Sequence, residues 1–230
     1  MLKNMERIIQ PPNMVYPRME AFFTMKTFDR RPETLLQDLF PPGAGVYMPV
    51  QRHTDQVIIL EENGRPEVAD AVLTQKREIF IGICVADCVP VLLFDRRKFV
   101  AGAVHAGWRG TAAQILRKAI QTMFERFQSL PDDIMIALGP SIKGCCYEVD
   151  SEVHDALCGV AGDGNYSVQK HGKYFVDLPS VNALQAVSLG VPQENIWVSD
   201  ECTYCNHDKY HSYRYHKDHA GRQGGFIRIH

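Results

Sequence analysis

The sequence lacks the features that mark membrane, nucleic-acid-binding and exported proteins. Its longest apolar run, residues 79–86, is far shorter than the roughly 20 residues that a membrane-spanning helix needs. It has no block dense in lysine and arginine, and its formal net charge is −2, which argues against a broad basic surface for nucleic acid. The start, "MLKNMERIIQPPNMVYPRM", lacks the apolar segment of a signal peptide. We therefore expect a cytoplasmic protein that binds neither nucleic acid nor membrane.

A regular cysteine framework is also missing. The chain has 7 cysteines, an odd number without regular spacing, which fits reduced thiols better than a set of disulfides. It shows no internal repeat, no low-complexity segment and no linker, and 45% of its residues are hydrophobic. We therefore expect one domain over residues 1–230 with a sizeable core.

Strand-like and helix-like segments alternate without a regular βαβ order. Strands are predicted over residues 46–50, 56–60, 69–74, 78–86, 89–94, 99–105, 133–138, 195–200 and 224–229. Helices are predicted over 111–128, 151–159 and 180–190. The first of these helices should begin at Thr111, because Thr111 and Gln114 have the spacing of a capping box. Short turns between several strands predict an α+β fold with mixed sheets covered by helices.

Residues 84–109, "CVADCVPVLLFDRRKFVAGAVHAGWR", read as a buried hairpin with polar residues at its open end. A turn centred on residues 96–97 pairs Phe94 with Phe99 and Cys88 with His105. Directly opposed side chains of an antiparallel pair lie about 4.5–5.5 Å apart on one face. Pro90 is unusual in a central strand and predicts a sheet edge or a bulge.

Cys88 and His105, if opposed, are close enough to bind one metal ion. A catalytic zinc site has about three protein ligands and an open position. His53 is a candidate third ligand, but the sequence has 9 histidines and chemistry alone does not select this one. The same pair also has the composition of a cysteine hydrolase, in which Cys88 is the nucleophile and His105 the base.

The segment "HAGWRGT" follows the hairpin directly. Its two glycines allow a sharp turn into the next helix, whose first N–H groups favour anions. Arg109 adds a planar cation suited to phosphate. The alternative is a tight strand-to-helix turn in which Trp108 only packs. The residues alone leave both interpretations open.

Several uncommon words now identify a family resemblance. "ADCVPVLLFD", "AVHAGWRGT" and "GPSIKGCCYEV", with the weaker "ADAVLT", "CTY", "HSYR" and "GRQ" in the same order, resemble the laccase-domain (YfiH/YlmD/FAMIN) family from about residue 51 to the C-terminus. The resemblance implies a four-layer α/β/β/α sandwich. It also implies phosphorolysis of adenosine, inosine, guanosine and methylthioadenosine, together with deamination of adenosine, so the expected partners are purine nucleosides and phosphate.

The resemblance implies a mononuclear zinc site formed by His53, Cys88 and His105. The family was first described as copper-binding, so copper is the second choice. Cys145 resembles a family site cysteine with a catalytic role, although the adjacent Cys146 aligns equally well.

Further roles combine the family pattern with the chemistry of the residues. Asp87 is a candidate general base, or a partner that orients a ligand histidine; the alternative is a hydrogen bond at the hairpin end. Arg109, Arg214 in "HSYR" and Arg222 in "GRQ" are candidate phosphate-binding residues. With these candidates, we expect a phosphorylase with three basic groups at its site.

Two segments depart from this pattern. Residues 22–33, "FFTMKTFDRRPE", lack the "G-G-V-S" stretch of many family members, which leaves a non-catalytic nucleoside-binding homologue as another alternative. Cys202 and Cys205 form a C-x-x-C motif near His207 and His211, but no second cysteine pair follows at zinc-ribbon spacing. The sequence therefore does not favour a second metal site. Its oligomeric state, monomer or weak homodimer, is left open.

Overall fold

Two mixed β-sheets and a small antiparallel sheet form the framework of the chain. The structure is a computed structural model that describes residues 7–26, 39–40, 43–62, 64–162 and 164–230. The strands of this part are β1 Ile8–Ile9, β2 Met19–Thr24, β3 Gly45–Tyr47, β4 Val57–Ile59, β5 Ala71–Thr74, β6 Ile79–Val85, β7 Val89–Asp95, β8 Val100–Ala106, β9 Ile134–Leu138, β10 Glu148–Val149, β11 Ser167–Lys170, β12 Lys173–Val176, β13 Ile196–Val198 and β14 Gln223–Ile229. Its α-helices are α1 Trp108–Ala112, α2 Ile115–Phe127, α3 Ser151–Ala161, α4 Leu178–Val187 and α5 Tyr213–His216. Short 3₁₀ helices cover Pro12–Met14, Pro131–Asp133, Gln193–Asn195 and Lys217–His219.

The larger sheet has six strands in the order β13-β9-β7-β8-β5-β4, and the second sheet has five in the order β1-β2-β14-β6-β3. Both are mixed, because β4–β5, β9–β13 and β3–β6 pair in parallel and the other pairs are antiparallel. The third sheet, β10-β12-β11, is antiparallel. The predicted α+β fold with mixed sheets is therefore confirmed.

The central strands are apolar on both faces because each face meets another layer. Leu92 and Phe94 of β7 pack in a core with residues of the five-stranded sheet. Val91 and Leu93 pack with residues of α2 and α4 on the other side. A strand buried on both faces reads as a continuous apolar run, which explains the sequence of this hairpin.

The outer face of the five-stranded sheet carries an aromatic cluster. Phe22, Phe80 and Phe226 are buried there together with Leu39 and Phe40. The chain on either side of residues 39–40 lies outside the described residues, and so does most of the unusual segment 22–33. Among the residues that the structure describes, no helix has the length and apolar character needed to cross a bilayer.

The hairpin has a different register from the predicted one. Asp95 pairs with Val100 and Pro90 pairs with His105, so Cys88 stands opposite Gly107. The error is two residues, because the loop covers residues 96–99 and is not centred on 96–97. The expectation for Pro90 was also wrong: β7 is a central strand, and Pro90 is accommodated near its start, where a missing N–H does least harm.

A two-residue error leaves side chains on the same face, because successive residues of a strand alternate between faces. Cys88 belongs to the core between the two sheets, and His105 has the same parity as Ala101 and Ala103 of that core. The two side chains are therefore diagonal neighbours on one face, at the open end of the space between the sheets.

The predicted helix over 111–128 is divided in two. Gln114 has a left-handed backbone, with φ 61°, and separates α1 from α2. The Nε2 of Gln185, a residue of α4, donates to the Thr111 carbonyl at 3.0 Å, and Asn182 donates to the Thr111 hydroxyl at 3.0 Å. The predicted capping box is absent, because Thr111 lies inside α1 and is used by tertiary contacts.

Other boundaries show smaller differences. The helix predicted to end at Gly159 continues to Ala161, and Gly162, with φ 70°, ends it. The helix predicted over 180–190 begins earlier, at Leu178, after Asp177 caps it through the Ser180 N–H. The hairpin β11–β12 and the strands β1, β2 and β10 were not predicted. Strands β1 and β10 have two residues each and β11 is largely polar, so periodicity gives little signal there; β2, with the apolar sequence MEAFFT, was simply missed.

Candidate metal centre and cavity

The predicted metal ligands lie together. One ligand atom from each of His53, Cys88 and His105 is within 4.8 Å of the other two. The two imidazole rings have centroids 4.9 Å apart. Nitrogen and sulfur ligands around tetrahedral zinc lie about 3.3–3.6 Å apart, given the usual bond lengths. The three groups therefore fit one ion after small side-chain adjustments.

Asp70 orients His105 and was not among the predicted site residues. This carboxylate is fully buried, and its Oδ1 lies 2.7 Å from His105 Nδ1. The contact makes Nδ1 the donor and leaves Nε2 as the free nitrogen for a metal. Asp87 does not orient a ligand histidine through any hydrogen bond in the described residues. The signal for Asp70 was present as a carboxylate within the apolar segment "ADAVLT".

The same carboxylate also holds the loop that carries His53. Its oxygens accept the backbone N–H groups of Arg52, His53 and Thr54 at 3.1, 3.0 and 2.6 Å, and the Thr54 hydroxyl at 2.8 Å. His53 has a left-handed backbone, with φ 58°, which these bonds help to stabilise. One buried charge therefore links two histidines that are far apart in sequence.

The charges of Cys88 and His105 support each other. Burial alone raises the pKa of Cys88, but the neighbouring charge of His105 and hydrogen bonds to His105 and His53 outweigh it and lower the pKa to about 6. Burial alone lowers the pKa of His105, but Cys88 and Asp70 raise it overall. The thiol is therefore poised to act as a thiolate, which is the form that binds metals.

Gly107 lies so close to two of the candidate metal ligands that a side chain would not fit there. A Cβ at this position would lie 2.9 Å from the Cys88 sulfur and 3.3 Å from His53 Cδ2. Its φ of −76° is accessible to any residue. The first glycine of "HAGWRGT" thus lets the backbone pass close to the ligand side chains, in addition to allowing the turn.

Asp87 joins three segments at the hairpin end. It has a left-handed backbone, with φ 84°. Its carboxylate accepts from the Thr203 hydroxyl and from the Arg214 backbone N–H, both at 2.6 Å. Its carbonyl accepts the Ile142 N–H at 2.9 Å. These bonds are of the hairpin-end kind, and a general-base role for Asp87 stays a prediction.

A cavity of about 580 Å³ opens over the three ligands, within the size range of roughly 300–1,000 Å³ for small-molecule sites. Its walls are Gln51, His53, Cys84, Val85, Ala86, Asp87, Cys88, His105, Trp108, Arg109, Ile142, Tyr147, Leu178, Tyr213, Arg214, Lys217 and Arg222. The structure thus places seven of the eight predicted site residues around one cavity. Lys217 and Tyr147 were not predicted to bind substrate.

The three predicted arginines differ in how many hydrogen bonds their guanidinium groups donate to the protein itself. Arg214 donates twice to the Glu148 carbonyl, at 3.1 Å, and Arg222 donates to the carbonyls of residues 220 and 221. Arg109 is exposed, and its guanidinium lies 4.4 Å from the Trp108 ring. Arg109 starts no long helix, since α1 has five residues. Its own side chain is the feature that suits an anion.

Cys145 is the predicted site residue that does not line the cavity. Its sulfur lies in a cluster with those of Cys146, Cys202 and Cys205. The expectation that the C-x-x-C motif lacks a second cysteine pair is therefore corrected: the pair comes from the distant "GCC" segment. The catalytic role of Cys145 stays a prediction that this placement does not support.

The two histidines near the C-x-x-C motif are outside the cysteine cluster. His207 stacks on Tyr215, with ring centroids 3.7 Å apart. His211 is buried and accepts from the Gly221 N–H through Nδ1 at 3.2 Å. Neither imidazole is therefore a ligand candidate for that cluster.

Comparisons with known proteins agree with this geometry. A family model described as multi-copper polyphenol oxidoreductase laccase matches residues 29–230. The purine nucleoside phosphorylase YlmD of Bacillus subtilis (strain 168) is 35% identical over 163 residues, which are 70% of this chain and 59% of that protein. A purine nucleoside phosphorylase of Bacteroides thetaiotaomicron is 33% identical over 215 residues, covering 87% of this chain and 80% of the relative.

Two further comparisons concern another activity and the fold. Adenosine deaminase RL5, from an unknown prokaryotic organism, is 34% identical over 180 residues, covering 73% of this chain and 68% of the relative. The crystal structure of the hypothetical protein YfiH from Bacillus licheniformis superposes with a TM-score of 0.89 and 25% identity, covering 100% of this chain and 99% of that one. Since the match spans 59% of the B. subtilis relative, the activity of that whole protein carries over only as a proposal.

Proposed function

The chain belongs to the multi-copper polyphenol oxidoreductase laccase family, and from this premise we propose that it is a zinc-dependent purine nucleoside phosphorylase that also deaminates adenosine. The observation that carries the proposal is the group of His53, Cys88 and His105 beneath a cavity with cationic walls. The names of the relatives support the activity class. The proposed substrates are phosphate and adenosine, inosine, guanosine or methylthioadenosine.

Zinc fits the ligand set better than copper does. Two imidazoles and one thiolate leave one open tetrahedral position, as in catalytic zinc sites. A blue-copper site adds a weak axial methionine as a rule, and no methionine is among the described residues of the cavity wall. A zinc ion bound there supplies a Lewis acid or an activated water for purine chemistry. Asp70 keeps His105 in the tautomer that this requires.

The basic side chains of the cavity have different roles in phosphate binding. Arg109 and Lys217 make no hydrogen bond or ion pair with their side chains in the described part of the chain, so their donors are free for an anion. The guanidinium groups of Arg214 and Arg222 already donate hydrogen bonds to backbone carbonyls. These two residues fix the shape of the wall and add positive charge. We propose that Arg109 is the principal phosphate ligand, because a guanidinium binds phosphate oxygens in pairs.

The polar and apolar walls suit a nucleoside. Burial raises the pKa of Tyr147, so its hydroxyl stays protonated and can donate a hydrogen bond. Trp108 and Leu178 present apolar surface for a base. Asp87 lies beside Cys88 and is proposed as a base or as a positioning group. Cys145 has no substrate contact in this proposal, because its sulfur faces the other cysteines.

The test is product analysis with zinc-loaded protein and inosine. Hypoxanthine and ribose-1-phosphate should form when phosphate is supplied and not when it is omitted, and adenosine should also yield inosine. Cys88→Ala should lose both the metal and the turnover. Arg109→Ala should raise the KM for phosphate about tenfold or more, since a charge-assisted contact contributes about 1.5–3 kcal/mol. Arg97→Ala, a change at an exposed arginine of the hairpin loop, is the matched control. Absence of nucleoside consumption would overturn the proposal.

A cysteine hydrolase is the second candidate, because Cys88, His105 and Asp70 also offer the thiol, imidazole and carboxylate of a nucleophile–base–carboxylate triad. A metal-bound thiolate is not a free nucleophile. The two functions therefore differ in one result: removing the metal should abolish phosphorolysis but should expose the nucleophile of a hydrolase. Nucleoside binding without turnover would identify a non-catalytic homologue.

A further inference from the structure

Four cysteines from two distant segments meet at one point. One sulfur from each of Cys145, Cys146, Cys202 and Cys205 lies within 4.8 Å of the others. The sulfur of Cys205 is 3.3 Å from that of Cys146 and 3.7 Å from that of Cys145. Cys145 and Cys205 are exposed, Cys146 is half-buried and Cys202 is buried. The cluster is separate from the cavity, whose described walls include none of these residues.

The sulfur spacing matches a tetrathiolate better than disulfides. Zinc–sulfur bonds are about 2.3 Å long, so tetrahedral sulfurs lie about 3.8 Å apart. A disulfide requires about 2.03–2.05 Å. The distances of 3.3 and 3.7 Å are close to the edge of a zinc tetrahedron.

Local backbone structure favours a thiolate at Cys202. The backbone N–H groups of Cys205 and Lys143 donate to the sulfur of Cys202. Asn206 donates to the Cys202 carbonyl through both its backbone and its side chain, at 3.0 Å, which holds the C-x-x-C turn. The half-buried Lys143 is also close enough to Cys145 and Cys202 to interact with their charges. A cation near the cluster offsets part of the excess negative charge of four thiolates.

We propose that Cys145, Cys146, Cys202 and Cys205 bind a second, structural Zn²⁺ ion. The site is closed, since four protein thiolates fill the tetrahedron and leave no position for water or substrate. It differs in this respect from the three-ligand group of His53, Cys88 and His105. The metal has a structural role, and the proposal does not depend on the activity of the cavity.

The role of this ion follows from what the two segments hold. The Thr203 N–H donates to the Ser141 carbonyl at 3.0 Å, beside the isolated bridge between Ser141 and Cys202. Thr203 also donates to Asp87, and the Ile142 N–H donates to the Asp87 carbonyl. The ion therefore fastens residues 139–149 to residues 200–206, next to a wall of the cavity.

The first test is the metal content of the full chain, purified under reducing conditions without chelator. We expect two zinc ions per chain. Cys205→Ser should reduce this to one, and Cys88→Ala should remove the other ion and leave the structural one. Cys158→Ser, at a half-buried cysteine outside both groups, is the matched control and should retain two. A wild-type content of one zinc, unchanged in Cys205→Ser, would overturn the proposal.

A second test needs no variant and remains decisive if Cys205→Ser fails to fold. Cobalt-substituted wild-type protein should show the intense thiolate charge-transfer and visible bands of a tetrathiolate in addition to those of a site with one thiolate. Bound metal should also protect the exposed Cys145 and Cys205 from alkylation. Detection of a Cys146–Cys205 disulfide by mass spectrometry in the freshly purified chain would refute the metal assignment. A chain with two zinc ions and no nucleoside turnover would contradict the proposed function alone.

Discussion

Replacement of Asp70 by asparagine tests the central link of the metal site. The carboxylate accepts five hydrogen bonds, from His105, from the backbone of Arg52, His53 and Thr54, and from the Thr54 hydroxyl. An asparagine amide has one oxygen and one NH₂ group. If the NH₂ group replaces Oδ1 it meets the His53 N–H and His105, and if it replaces Oδ2 it meets the other donors. In the first orientation the partly buried His53 N–H loses its acceptor, and His105 keeps a partner only by moving its proton from Nδ1 to Nε2, the nitrogen available to a metal. In the second orientation the partly buried N–H groups of Arg52 and Thr54 lose theirs.

The expected cost follows from that count. One or two partly buried donors without partners cost about 1–3 kcal/mol each, or about 1–6 kcal/mol in unfolding free energy. Loss of a partner that orients a ligand histidine typically weakens metal binding by about 10–100-fold. Asp55→Asn is the matched control, since Asp55 forms a partly exposed ion pair with Lys118 and such pairs contribute about 0–1 kcal/mol.

The assays are urea unfolding of the metal-free chains and competition for zinc with a chromophoric chelator. Equal unfolding free energies for Asp70→Asn and Asp55→Asn, or an unchanged zinc affinity, would refute the reasoning. Both measurements address the contact between Asp70 and His105 directly, because neither requires turnover.

The pH dependence supplies a further check on Asp70. Burial alone would raise the pKa of this carboxyl, but the hydrogen bonds from His105 and Thr54 outweigh it and hold the pKa well below the ordinary value of 3.8. A depressed pKa stabilises the folded state fully above the ordinary value, and the stabilisation is lost as pH falls towards the folded pKa. The part of the difference in unfolding free energy between wild type and Asp70→Asn that comes from the Asp70 carboxyl should therefore shrink below about pH 4. Because Asp70 also raises the pKa of His105, a second part should be lost as pH rises above the ordinary histidine range.

Two other predictions concern the same centre. Gly107→Ala should weaken zinc binding about tenfold or more, because the new Cβ would lie 2.9 Å from the Cys88 sulfur. The control is Gly159→Ala, whose Cβ would meet nothing within 4 Å. Equal zinc affinities of the two variants would contradict the steric argument. In the metal-free protein, the alkylation rate of Cys88, followed by peptide mass spectrometry as a function of pH, should reach half its maximum near the pKa of about 6. Half-maximal alkylation near the free-cysteine pKa of about 8.5 would contradict the pairing of a Cys88 thiolate with a His105 imidazolium.

Much of the fold and part of the site could be predicted from local signals. Apolar runs located β6, β7, β8, β9 and β14 within a few residues, because strands buried on both faces leave a continuous pattern. The resemblance selected His53 from nine histidines, which spacing could not do. The hairpin register was missed because it depends on the four-residue loop, and the break at Gln114 was missed because α4 forms bonds to Thr111.

The sequence by itself determined which residues are apolar on two faces, which words match a family, and which thiols and imidazoles are available. Only the tertiary structure decided which of them meet. Asp70 and His105 are 35 residues apart, and Cys146 and Cys205 are 59 apart, so no local period connects them. Their contacts exist because strand pairing and packing bring distant segments together, and each cluster is the sum of such non-local pairings.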